Sequence, residues 1–159
     1  MESPPPLPSG LETEHLLDVF VDLEAPLDIG PGPFGRRLVL ILKGGRFAGP
    51  KLRGEVLPGG GDWLVWAPPA TLELDVRAVM RTDDDAHIMI AFRGVANAEP
   101  AVLMRVLSGQ AVSPEEYYAR ITPRFEAGAE QYRWLNAAIC LGSGYLGRGH
   151  AAFRVWRVL

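Results

Sequence analysis

The chain has 159 residues, 48% hydrophobic and 22% charged, the size and composition of one globular domain rather than of a disordered or fibrous protein. Its 16 basic residues are scattered among 19 acidic ones for a net charge of -3, so no basic stripe exists to neutralise a row of phosphates and nucleic acid is excluded as an expected partner. No apolar run is long enough to predict a membrane span, and the single cysteine, Cys140, rules out an internal disulfide framework or a multi-cysteine metal site.

In chain order, Met1 to Gly10 carry four prolines and neither a basic nor an apolar leader region, which predicts a disordered tail over 1–12 and a single domain over 13–159. With the lone thiol, a reducing, cytoplasmic location is expected. His15, Leu17, Val19, Val21 and Leu23 alternate as one face of a first strand, followed by a loop from Pro26 to Gly35. Arg37 to Lys43 reads as a strand apolar enough to be buried on both faces. Gly44-Gly45 and Gly49-Pro50 punctuate the chain before a short strand from Leu52 to Leu57 and a glycine turn at Pro58 to Gly61. Asp62 to Trp66, Thr71 to Arg81 and Ala86 to Gly94 continue a run of antiparallel strands. A helix is expected from Ala101 to Ser108, with Pro100 at its start and Gly109 past its end. Ser113-Pro114-Glu115-Glu116 matches a capping box before an extended stretch from Tyr117 to Thr122. Ala138 to Leu141 and Ala151 to Val158 supply the last strands.

The expected class is therefore all-β with one or two short helices. So many strands in one domain form either a sandwich or a barrel, and closure of an antiparallel β-barrel removes exposed edges while leaving room for one ligand.

Strand Thr71 to Arg81 puts Leu72, Leu74, Val76 and Ala78 on one face and Glu73, Asp75 and Arg77 on the other. Asp75 and Arg77 are thus neighbours, either a solvent-facing ion pair or a clamp for a polar group of a ligand. His87, beside Met89 and Ala91, carries the same ambiguity. Asp83, Asp84 and Asp85 sit where a hairpin tip should be, and consecutive residues seldom converge on one ion, so no metal is expected. From Glu116 to Glu126 the chain is dense in functional side chains, including Tyr118, Arg120 and Glu126. With Trp63, Tyr132, Trp134 and Asn136 these supply the aromatic walls and few polar groups of an organic-ligand pocket.

Several motifs occur in a fixed order: Gly44-Gly45-Arg46-Phe47-Ala48-Gly49-Pro50, Leu57-Pro58-Gly59-Gly60-Gly61-Asp62-Trp63, Leu74-Asp75-Val76-Arg77, Arg81-Thr82-Asp83-Asp84, Tyr117-Tyr118-Ala119-Arg120, Pro123-Arg124-Phe125-Glu126 and Tyr132-Arg133-Trp134-Leu135-Asn136. In these the chain resembles the "domain of unknown function 3237" family from about Leu16 onward. The resemblance implies a barrel similar to allene oxide cyclase and dirigent-type barrels and implies no single activity. Against the family pattern, Ala78 stands where a tyrosine is expected, Ala119 where a phenylalanine is expected and Asp85 where a glycine is common. If the two alanines line the barrel, they enlarge its cavity.

These features lead to the expectation of a cofactor-independent enzyme, of cyclase or isomerase type, acting on a bulky, partly apolar metabolite of the kind made in natural-product biosynthesis. Asp75, Arg77, Arg120 and Glu126 would carry the chemistry. Trp63, Ala78, His87, Tyr118, Ala119, Tyr132, Trp134 and Asn136 would bind the substrate. The rival is a carrier for a hydrophobic small molecule, and the discriminating feature is a carboxylate inside the pocket with no fixed basic partner. A homodimer is also expected, from strand edges and the apolar segment Phe153 to Leu159.

Overall fold

The computed structural model describes residues 5–159, and the first third of the expected tail lies outside that range. Ten antiparallel strand segments form one closed barrel: β1 (Thr13–Leu23), β2 (Leu27–Gly32), β3 (Gly35–Ala48), β4 (Arg53–Val56), β5 (Gly61–Ala67), β6 (Thr71–Thr82), β7 (His87–Ala98), β8 (Tyr117–Ala127), β9 (Cys140–Gly147) and β10 (His150–Val158). They fill eight positions. β1 and β2 lie end to end along one edge of β3, and β4 and β5 lie end to end along the other. β6 to β10 follow in order until β10 pairs with β1 and closes the ring.

The sequence suggests breaks at two places where the structure has strand. β2 forms inside the expected Pro26 to Gly35 loop. β3 runs through Gly44 and Gly45 to Ala48. A side chain on Gly45 would place its Cβ 2.0 Å from the Phe20 carbonyl oxygen, so this glycine marks close approach of β1 rather than a turn. β1 itself carries a bulge between His15 and Leu17. Leu16 and Leu17 are therefore both buried, and His15 turns outward to meet Asp18 at 3.1 Å instead of sharing the face of Leu17 and Val19.

Helix α1 (Pro100–Leu107) lies at one end of the barrel. Ser113 begins a 3₁₀ turn (Pro114–Glu116) with the expected capping box. A second 3₁₀ helix (Glu130–Ala137), which alternation did not predict, packs against β8 at the other end. Its Asn136 side chain clamps the Ala127 backbone, accepting from the N–H at 2.7 Å and donating to the carbonyl at 2.9 Å. The half of the barrel beside it is filled by side chains, with Leu17, Phe47, Met80, Ile88 and Leu135 fully buried. No helix among the described residues is long and apolar enough to cross a membrane.

In the segment from Phe153 to Leu159, Trp156 and Val158 are half-buried and Leu159 is exposed. Phe153 and Val155 are inner-face residues of β10, buried in the core.

Candidate active site

The half of the barrel under α1 encloses a cavity of about 480 Å³, within the size range of small-molecule sites. Its wall is mainly aliphatic, from the inward faces of β1 (Val19, Val21), β3 (Leu38, Leu40, Leu42), β5 (Leu64) and β6 (Leu72, Leu74, Val76), with Phe92 beside Val76 and Phe153 beside Val19. Leu103 and Val106 of α1 bury themselves over the mouth. The face of β6 that points inward is thus the apolar one, as burial of hydrophobic surface demands.

One ionisable group lies deep in this wall. In β5, Asp62, Leu64 and Trp66 share the inner face by two-residue alternation. Asp62 is 8% exposed. The paired positions of β5 and β6 pass from Asp62–Val76 to Val65–Glu73. Within that gap the backbone N–H of Asp75 donates to Asp62 Oδ1 at 2.9 Å. Among the described residues no cation pairs with Asp62. Burial pushes its carboxyl up to about 6, with the Asp75 hydrogen bond opposing and the Asp75 charge adding to the rise.

Tyr117 brings a second polar group to the wall at the mouth end of β8. Its hydroxyl oxygen accepts from the Leu146 N–H at 2.9 Å, which leaves the phenolic proton to be donated. Desolvation raises its pKa and keeps it protonated. Glu24, Arg148 and His150 form the charged and titratable part of the rim.

Most residues singled out from the sequence are elsewhere. Asp75 and Arg77 are on the outer face of β6; Asp75 pairs with Arg93 at 3.2 Å and Arg77 is exposed. Arg120 is on the outer face of β8, lying over the Tyr118 ring and bonded to Ser143, and Glu126 is exposed on the same strand. Trp63 is 42% exposed, Tyr118 53%, and His87 is exposed at the start of β7. All seven are placed outside because their alternating neighbours are the apolar residues that fill the barrel. Tyr132, Trp134 and Asn136 belong to the 3₁₀ helix at the filled end, where Tyr132 donates to Asp84 at 2.8 Å and Trp134 lies under Lys51 and Arg157. Ala78 is on the cavity wall. Ala119 faces inward but is sealed, with 1% exposure.

Asp83, Asp84 and Asp85 form the β6–β7 hairpin tip. Asp83 pairs with Arg53, Asp84 accepts from Thr82 and Tyr132, and Asp85 has φ of 66°. Among the described residues no three His, Cys, Asp or Glu side chains converge as metal ligands do.

The family described as protein of unknown function (DUF3237) has a model that matches residues 11–158. The chain belongs to that family. A relative from Clostridium acetobutylicum, a UPF0311 protein, is 32% identical over 133 residues, 82% of this chain and 84% of its own. The structure of a conserved protein from Rhodopseudomonas palustris superposes with a TM-score of 0.89 at 27% identity, over 96% of this chain and 100% of that one. A β-barrel-like protein from Acinetobacter baumannii gives 0.82 at 28% identity, covering both chains fully. An enzyme from Penicillium herquei shares the fold, with a TM-score of 0.73 at 18% identity over 98% of this chain and 99% of that one.

Proposed function

We propose that this DUF3237 barrel is an enzyme that encloses a bulky, partly apolar small molecule and cyclises or isomerises it by proton transfer through Asp62. The observation that carries this reading is the Asp62 carboxyl, buried in an aliphatic wall with no cation beside it. A passive carrier gains nothing from such a group, because burying it costs free energy and a carrier makes no use of its proton affinity. A carboxyl with a pKa of about 6 is divided between its two forms near neutrality, so it can take a proton from one atom of a substrate and return it to another. Positioned proton transfer of this kind contributes about 10²–10⁴-fold in rate. The Tyr117 hydroxyl supplies a donor for a substrate oxygen that gains charge. The aliphatic walls hold a flexible molecule folded, which favours ring closure. That a protein of the same fold is described as an enzyme supports the same reading.

The test works with a substrate of unknown identity. The protein is incubated with a metabolite extract in heavy water, and apolar species that gain deuterium or change retention are found by mass spectrometry. Conversion that disappears in Asp62→Asn supports the proposal. Conversion that persists in that variant removes Asp62 from the chemistry, and recovery of a bound but unaltered apolar molecule favours the carrier.

A further inference from the structure

The rim of the cavity carries a charge that the proton-transfer chemistry does not use. Among the described residues, Arg148 is the only Lys or Arg on the cavity wall. It sits in the two-residue turn between β9 and β10, next to Gly149 with φ of 79°. Among the described residues its guanidinium makes no hydrogen bond and no salt bridge. Its stem lies against Gly109, just past the end of α1, where a Cβ would be 3.4 Å from Arg148 Cδ. The side chain therefore spans from the β9–β10 turn to the lid helix.

The other charged groups around the mouth are accounted for. Glu24, the only acidic residue on the rim among the described residues, has Lys43 at 3.9 Å, so its charge is already opposed. His150, the first residue of β10, stacks on Tyr145 with ring centroids 5.8 Å apart. Asp62 lies deeper, among aliphatic residues, and repels a second carboxylate at that depth. An anionic group on a ligand is thus excluded from the interior and attracted to the one free guanidinium at the opening, where water still reaches it.

We propose that the cavity takes an amphiphile with a monoanionic carboxylate head, held at the mouth by Arg148 while its apolar body runs inward to Asp62. This inference rests on the cavity being the substrate site and adds the substrate's polarity and direction of entry. With the head fixed at the mouth, the atoms presented to Asp62 lie in the apolar body, away from the carboxylate.

Decanoate and decan-1-ol, equal in chain length and different in charge, test it by titration calorimetry of the full chain near neutral pH. Wild type is expected to bind decanoate about tenfold or more tightly than the alcohol, the size of a well-placed charged hydrogen bond. Arg148→Gln should abolish that preference by weakening decanoate alone. Arg124→Gln, an exposed arginine on the outer face of β8, should leave both affinities unchanged. Equal binding of the two ligands by wild type, or a preference that survives Arg148→Gln, overturns the proposal and leaves the cavity reading standing. Failure of both ligands to bind wild type counts against the cavity as a ligand site and takes this proposal with it.

Discussion

Asp75 and Asp62 are joined through the wall of the barrel: the Asp75 side chain is outside, paired with Arg93, while its backbone N–H holds the Asp62 carboxylate inside. The outer residue thus fixes the position of the inner one through its main chain, which any residue but proline can do. Asp75→Ala is therefore expected to keep the Asp62 geometry and any Asp62-dependent turnover, changing stability by under about 1 kcal/mol for loss of a surface ion pair. Turnover that falls as far as in Asp62→Asn would return the catalytic assignment to the Asp75 carboxylate.

Asp62 also predicts how stability responds to pH. Its folded pKa of about 6 lies above the value of 3.8 for a free aspartate, so the native state holds the proton more tightly than the unfolded chain. The stability from this group is complete below the unfolded value and is lost as pH rises through about 6. Comparing wild type with Asp62→Asn isolates the effect, since asparagine can still accept from the Asp75 N–H. Between about pH 4 and about pH 7 the difference should move by roughly 2–3 kcal/mol in favour of the variant. Urea unfolding at several pH values measures it, and a difference that stays constant would show that Asp62 is not desolvated.

The two alanines should behave differently from each other. Ala78 borders the cavity, so Ala78→Tyr should fold and exclude a neutral apolar probe such as N-phenyl-1-naphthylamine. Ala119 has no such room: a Cβ on the neighbouring Gly144 would lie 3.4 Å from Ala119 Cβ and 2.8 Å from the Phe153 ring. Ala119→Phe is expected to overpack and cost about 1–3 kcal/mol. Probe fluorescence and thermal unfolding of both variants distinguish the two outcomes.

Tyr117→Phe removes the acceptor of the Leu146 N–H as well as a donor to the cavity. A part-buried donor left unpaired costs about 1–3 kcal/mol, so a lower melting temperature should accompany slower turnover. Unchanged stability would mean that water replaces the phenol at this position.

Asp85 holds φ of 66° at the hairpin tip, a left-handed conformation that glycine adopts without steric cost. Asp85→Gly should stabilise the protein by up to about 1 kcal/mol, and Asp85→Val should destabilise it by about 1–2 kcal/mol. Denaturant midpoints report both changes.

Period-two alternation made most of the barrel legible in the sequence, and it divided β6 correctly into two faces. It does not say which face is inside. The functional expectation placed Asp75, Arg77 and Ala78 in one pocket, although Ala78 is on the opposite face of the same strand. The structure resolves this in favour of burying Leu72, Leu74, Val76 and Ala78. The same one-residue choice in β5 drew attention to Trp63 and away from Asp62. The available signal was Asp62 itself, the one acidic residue in phase with Leu64 and Trp66. Tyr132, Trp134 and Asn136 misled for another reason: their 3₁₀ helix has no strand period, and its end of the barrel is set by contacts remote in sequence.

The seam between β1 and β10 pairs Thr13 with Val158 and Asp18 with Arg154, the latter tied by an ion pair at 2.7 Å. These partners lie more than a hundred positions apart, so the seam is the pairing most expensive in chain entropy and the last that a growing chain can make. Until β10 is available, the staves form a curled open sheet with two bare edges, and Leu17 and Val19 have no cover from Phe153 and Val155. Such a species invites edge-to-edge association between nascent chains. The ring therefore sets a kinetic checkpoint, in which the speed of closing one seam decides between a sealed barrel and an aggregate.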